Sequence, residues 1–181
     1  MSPFSLDKLA PLAEQLKALS REALLANPLV RQHPILFTVR HPYRSSYHAI
    51  DTLFHTDEMN TNNFTGGGAL KVLDAASGSV RTLLESKDGL PRDPEVYFDG
   101  KRIVFAFRKD RNDDYHIYEM DLAGGQPRQL TFAPGVCDFD PIYLPDSDIL
   151  FSSTRERKYN QCSQDVAANL FRMEADGANI E

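Results

Sequence analysis

The chain changes its hydrophobic rhythm once. Over residues 11–26, "PLAEQLKALSREALLA", apolar positions keep helical spacing: Leu12, Leu16, Leu19 and Ala23 share one face. Pro11 suits a first helical turn, and Asn27-Pro28 ends the helix, because the residue before a proline is pushed out of the α region. The stripe predicts one amphipathic helix whose apolar face docks on the β structure that follows. From Ile35 onward the period drops to two, and Gly, Asp and Pro mark the breaks, which predicts short strands joined by tight turns.

The strand-like text repeats. "ALKVLDAASGSVRTL" (69–83) lies over "HIYEMDLAGGQPRQL" (116–130) without a gap, placing Leu70 on Ile117, Asp74 on Asp121, Gly78 on Gly125 and Leu83 on Leu130 at an offset of 47 residues. "NLFRMEADGANI" (169–180) is a third copy, with Leu170, Met173 and Gly177 on Ile117, Met120 and Gly124. Between these copies, "DPEVYFDGKRIVFAFR" (93–108) pairs with "DPIYLPDSDILFSSTR" (140–155), and "HPILFTVR" (33–40) resembles the apolar strand of both. One unit is therefore an Asp-Pro strand, a turn, an apolar strand, a loop, an "IYEMD"-type strand, a glycine turn and an "RQLT"-type strand.

Four short antiparallel strands repeating every 40 to 50 residues is the signature of a β-propeller blade. A lone four-stranded sheet has two faces and cannot cover both, so the packing problem, and with it the sequence, recurs from sheet to sheet. The fold class expected is all-β: a partial β-propeller of about three four-stranded antiparallel blades, preceded by one N-terminal α-helix. The domain reading is a helical segment at 1–31 and an incomplete propeller at 32–181. Its blades fall at about 35–84 without an obvious first strand, at 93–131 complete, and at 140–180 without a fourth strand. Propellers close with roughly four to eight blades. These units are thus expected to be part of a larger propeller, or to close by association.

Composition narrows the function classes. The 181 residues are 41% hydrophobic and 25% charged, enough for a buried core. A formal charge of −6 and the lack of any basic run argue against a nucleic-acid partner. No apolar run approaches the roughly 18 residues that span a bilayer. "MSPFSLDKLAPLAEQ" has neither the basic start nor the apolar middle of a secretory leader, and taken alone reads as cytoplasmic. The two cysteines, Cys137 and Cys162, form neither CxxC nor CxxCH, so no zinc ribbon and no covalent haem site is encoded. They are read either as two half-buried thiols or, in an oxidising compartment, as a disulfide.

Residues 40–68 are the most unusual segment. "RHPYRSSYHAIDTLFHTDEMNTNNFTGGG" carries His41, His48, Asp51, His55, Asp57 and Glu58. Imidazoles with carboxylates between them can hold a transition metal, but the seven-residue steps between the histidines are not a short ligand spacing. The alternative is a long loop over the propeller mouth. Long loops on rigid scaffolds often hold function, so His41, His48, Asp51 and His55 are the candidate ligand-binding residues, with the three histidines as metal candidates. Asp138, Asp140, Asp146 and Asp148 offer oxygen ligands of the kind Ca²⁺ takes, but without the EF-hand order, and turn-capping and strand-start roles are the preferred explanation. Arg108 to Asp114 reads as a solvated loop, Gly66-Gly67-Gly68 as a flexible turn, and Ser152-Ser153-Thr154 lacks the context of a nucleophilic serine.

The text "IYEMDLAGGQPRQLT" and "DFDP" resembles TolB-type propeller repeats of bacterial periplasmic proteins. "REALLANPLV" (21–30), "ILFTVRHPY" (35–43), "GGGALKVLD" (66–74), "CDFDPIYLPDSDILFSSTRERKY" (137–159) and "NLFRMEADGANI" resemble the middle-domain family of the hydrazine synthase alpha subunit. The resemblance implies a propeller of about six or seven blades in an exported protein, periplasmic or extracellular. Ser147 departs from it by replacing the glycine usual after "PD", which is expected to loosen that turn. The missing haem-attachment motif is a second departure, so haem chemistry is not implied for this chain. The residues favour a scaffold or binding module for a protein or glycan partner, or for further blades and domains of the same polypeptide. The alternative is the propeller part of a multidomain redox or hydrolytic enzyme, with its site at the propeller mouth.

Overall fold

The computed structural model describes residues 6–41, 64–159 and 166–181. The chain divides into two compact units, Met1–Ile35 with Val72–Arg81 and Leu36–Lys71 with Thr82–Glu181.

In the first unit, helix α1 spans Leu6–Ala26 and helix α2 spans Pro28–Gln32. The helix starts before the residue expected to open it, because Leu6–Ala10 are themselves mostly good helix formers. Pro11 therefore sits inside α1, where it lacks the N–H that would bond the carbonyl of Asp7. The break falls at Asn27-Pro28 as the sequence indicates. The Asn27 side chain caps α2 by accepting from the Leu29 amide at 3.0 Å, and Pro28 opens the new helix. Leu12, Leu16 and Leu19 are 59%, 65% and 62% exposed, so the apolar stripe is not buried. In the Val72–Arg81 turn, the Asp74 carboxylate accepts from the Ser77 amide at 2.8 Å. That bond and the Ser77 hydroxyl lower the Asp74 pKa below the usual carboxylate value.

The strands form three antiparallel sheets in chain order. The first contains β1 (Ile35–Arg40), β2 (Gly68–Leu73) and β3 (Val80–Ser86). The second contains β4 (Leu90–Val96), β5 (Arg102–Arg108), β6 (His116–Asp121) and β7 (Arg128–Gln129). The third contains β8 (Asp138–Tyr143), β9 (Ile149–Tyr159) and β10 (Val166–Met173). Each sheet is a meander, and β6–β7 is the outer half of the four-stranded one.

Stacking explains why these strands are apolar on both sides. Every residue of β5 from Ile103 to Arg108 is buried. On one face Ile103, Phe105, Phe107, Tyr118 and Met120 pack with Leu70 and Leu36 of the first sheet. On the other, Val104, Ala106 and Ile117 pack with Phe139, Ile149, Phe151 and Met173 of the third. Each of the large aliphatic and phenylalanine side chains contributes about 1.5–3 kcal/mol by leaving water. The contacts Ile103 and Ile149 make belong to separate sheets packed face to face, as the repeat requires.

The repeats also share their irregularities. β4 bulges between Arg92 and Glu95, and β8 bulges between Phe139 and Ile142. Asp93 and Asp140 sit at those bulges with the same left-handed φ of 49°. The following turns correspond as well. Gly100 donates its N–H to the Tyr97 carbonyl at 2.8 Å, and Ser147 donates to Leu144 at 3.0 Å. Ser147 holds a φ of 78°, which is unfavourable for a residue with a Cβ, and its turn keeps the same hydrogen bond as that of Gly100. Its hydroxyl lies 2.7 Å from the hydroxyl of Tyr97, in the turn that follows β4 of the neighbouring sheet, a tie that glycine could not make. Ser147→Ala is therefore expected to lower stability by about 1 kcal/mol, since the strain stays and the bond goes. Ser147→Gly, which loses both, should stay near the parent. Urea midpoints of the two variants check this, and equal losses would refute it.

Candidate functional site

Antiparallel meanders place alternate connections at opposite ends of a sheet. In the second unit one end carries the tight turns 97–101, 122–127 and 144–148, closed by Asp and Gly. The other end carries residues 64–67, the longer connections 109–115 and 130–137 and the short link 87–89. Two grooves open at this second end.

The first groove, about 390 Å³, is lined by Phe64, Lys87, Asp88, Asp110, Arg111 and Asn112. A side chain absent from the groove fixes its walls. Arg108 closes β5 and is only 1% exposed. Its Nε donates to the Asp110 carbonyl at 3.2 Å and its Nη2 to the Arg111 carbonyl at 2.8 Å. Its guanidinium carbon lies 4.2 Å from the centre of the Phe64 ring. The run 108–114 is thus not uniformly solvated: its first residue is an internal brace, while Lys109, Asp110, Arg111 and Asn112 are exposed. The glycines here are packed and not simply flexible. A Cβ on Gly66 would come within 2.1 Å of the Asp88 carbonyl oxygen, and one on Gly89 within 2.6 Å of the Arg108 oxygen. The result is a rigid polar groove with two cations, two carboxylates and an amide, suited to hydrogen-bonding a polar ligand.

The second groove, about 310 Å³, is lined by Val39, Arg40, His41, Gly67, Lys71 and Glu85 among others. His41 is exposed at the end of β1, and its Nε2 would lie 3.3 Å from a Cβ on Gly67. Of the candidate ligand set only His41 is placed. His48, Asp51 and His55 lie outside the described residues, as does Cys162, so neither the three-histidine metal reading nor the disulfide has a geometry here.

The four aspartates of the "DFDPIYLPDSD" run do not converge. Asp138 is fully buried and bridges Arg155 Nη2 at 3.0 and 3.1 Å. Asp146 and Asp148 both pair with Arg172, at 2.6 and 2.7 Å. Among the described residues no three His, Cys, Asp or Glu side chains are grouped to hold a metal ion. Thr154 is structural, its hydroxyl accepting from the Cys137 amide at 2.9 Å. Burial pushes the Cys137 thiol up to about 12, which keeps it protonated near neutral pH.

Asp140 stands apart. Asp93 of β4 is held by Arg92, and although Asp140 as a residue is exposed, partial desolvation of its carboxyl together with the Asp93 carboxylate pushes it up to about 6. An acid with a raised folded-state pKa stabilises below its ordinary value of 3.8, and this contribution is lost as pH rises through about 6. Asp140→Asn, which tolerates the left-handed backbone, should raise stability at pH 7 by about 1 kcal/mol, since solvent screens the pair. It should also flatten the pH dependence between about 4 and 6. Thermal melts across that range check it, and an unchanged slope would rule it out.

Sequence reasoning missed two buried polar centres. His116, nearly buried at the start of β6, has Nε2 3.7 Å from Asp113, and its Nδ1 has no hydrogen-bond partner among the described residues. Glu119, which reads as an ordinary strand position, accepts from Arg102 at 3.1 Å, Arg128 at 2.9 Å and the Tyr143 hydroxyl at 3.0 Å. Its alternation with Ile117 toward an apolar face was the available signal.

Solved structures share this arrangement of sheets. TolB from Acinetobacter baumannii superposes with a TM-score of 0.50 at 22% identity over 65% of this chain. The hydrazine synthase of Kuenenia stuttgartiensis does so with a TM-score of 0.54 at 21% identity over 77% of it. The chain has a β-propeller-like fold. It spans 26% of the TolB chain and 20% of the hydrazine synthase chain, and identities this low speak to fold alone. No known family profile and no curated protein matches the sequence. Among the described residues no helix is long and apolar enough to cross a membrane.

Proposed function

We propose that the chain is a β-propeller scaffold and binding module of a larger exported protein, without catalysis of its own. Its three sheets are three successive blades, and it holds a protein or glycan partner at the end where the long connections gather. The observation that carries this is the braced polar groove at that end, with the Arg108 guanidinium fixing the carbonyls of two of its lining residues. Burying a cation to hold a loop still is worthwhile where the loop must present its outward side chains in one geometry. His41 beside Arg40 and Lys71 supports a second reading, in which the chain is the propeller part of a redox or hydrolytic enzyme whose site other domains complete.

Glycan and peptide arrays separate the two. The expected result is binding by cofactor-free chain, lost in Lys87→Ala and Arg111→Ala. A stoichiometric metal or haem in elemental analysis or absorbance, lost when His41, His48 and His55 are all changed to alanine, would overturn it in favour of the enzyme reading.

A further inference from the structure

Every residue of α1 from Leu9 to Leu24 is exposed, so among the described residues no other element covers that length of helix. A helix this bare is marginal in water, because most helical stability in proteins comes from packing an apolar face. Its apolar positions are nevertheless strictly ordered. Leu9, Leu12, Leu16, Leu19 and Ala23 recur at steps of three, four, three and four. The four leucines are 43%, 59%, 65% and 62% exposed. A mean step of about 3.5 residues is the coiled-coil repeat, and it asks for a second helix of the same period. The other described helix, α2, has five residues and is too short to supply one.

The charges around this seam select the partner and its direction. Glu14, Lys17 and Arg21 fall on the side of the helix away from the leucines, where Lys17 Nζ pairs with Glu14 at 2.7 Å. Lys8, Gln15 and Glu22 fall together along one flank of the seam, in the order basic, neutral, acidic. That order complements itself when two copies run in opposite directions. Leu9 then meets Leu19 of the second copy and Leu12 meets Leu16. On the flank, position 8 faces position 22 at both ends, and Gln15 faces Gln15 on the two-fold axis. In a parallel pair the same flank would set position 8 against Ala13 and Gln15 against Ser20, and no opposite charges would meet.

We propose that the Leu9–Ala23 face of α1 is an antiparallel coiled-coil seam that joins two copies of the chain. The partner is a second α1, held by eight interlocking leucines and two flanking pairs of opposite charge. This goes beyond the binding-module reading and does not depend on it.

Sedimentation equilibrium on the full chain tests it. The expected result is a monomer–dimer equilibrium. Leu16→Glu should raise the dissociation constant at least about a hundredfold, since it removes two leucines from the seam and places two charges there. Lys8→Glu, which sets like charges opposite each other at both ends, should raise it roughly fivefold. Adding Glu22→Lys to Lys8→Glu should restore the parent value, because the exchanged pair is again complementary. The sheets report on folding through tyrosine fluorescence in urea, and their midpoint should match the parent in all three variants. A monomeric parent overturns the proposal and leaves the seam to a helix of another partner. Dimers that survive Leu16→Glu overturn it in favour of association elsewhere on the chain. Dimers broken by Leu16→Glu but indifferent to Lys8→Glu overturn the antiparallel arrangement, and a trimer or tetramer overturns the two-copy seam.

Discussion

Glu119→Ala should cost the chain about 3 kcal/mol, measured by urea denaturation, because one carboxylate serves three partners across two sheets. Oε1 accepts from Arg102 at 3.1 Å and from the Tyr143 hydroxyl at 3.0 Å, and Oε2 accepts from Arg128 at 2.9 Å. The Arg102 guanidinium also lies 4.3 Å over the Tyr97 ring, whose centre is 4.9 Å from that of Tyr143. Burial, and then the Glu119 charge, pushes the Tyr143 hydroxyl up, so it stays a hydrogen-bond donor at any ordinary pH. Without the carboxylate the hydroxyl is left unsatisfied in the interior, at about 1–3 kcal/mol. The two cations are left near one another, although Arg128, with 53% of its side chain exposed, can rehydrate. That exposure keeps the loss toward the low end of the roughly 3–5 kcal/mol range for a broken buried pair. Glu119→Gln retains an acceptor for Tyr143 and should lose about half as much. In a double-mutant cycle with Tyr143→Phe, a coupling of about 1 kcal/mol is expected. A loss under about 0.5 kcal/mol in Glu119→Ala would mean that the bridge does not join the sheets.

The fold is largely legible in the sequence because its signals are local. Alternation in "RIVFAFR" and "HIYEMD", glycine at the hairpins and Asn27-Pro28 after the helix each act within a few residues, and each element lies where these signals put it. The departures come where context beyond the local pattern overrides a local rule. Pro11 has the character of a first-turn proline, but the flanking Leu6–Ala10 segment is helical too, and nothing at Pro11 itself reports that. Ser147 looks like a weakened turn because the Tyr97 hydroxyl that anchors it is 50 residues away. Arg108 opens a run of charges and so reads as solvated, but the Phe64 ring that shields it lies in another loop. The site is less legible than the fold for the same reason. A histidine count singles out the 40–68 segment, whose candidate ligands are placed only at His41, whereas the braced groove is assembled from three connections with no common sequence signature.

The stacking of sheets makes its sharpest prediction at one repeat position. Leu70, Ile117 and Leu170 are the same residue in three copies, on the face each sheet turns toward the next. Leu70 and Ile117 are fully buried, against the second and third sheets in turn, while Leu170 is 69% exposed. Alanine should therefore cost about 3 kcal/mol at Leu70 and at Ile117, from lost transfer free energy and the cavity left behind. At Leu170 it should change stability by no more than about 0.5 kcal/mol. Propensity differences within a strand cannot produce this contrast, because the three sites share their strand position and nearly their chemistry. Among the described residues, Leu70 and Ile117 have a following sheet against them and Leu170 has none. Urea midpoints of the three variants decide the matter. Equal costs at all three positions would mean that Leu170 is covered in solution and that the third sheet already has its neighbour. Negligible costs at all three would mean that the sheets do not pack face to face.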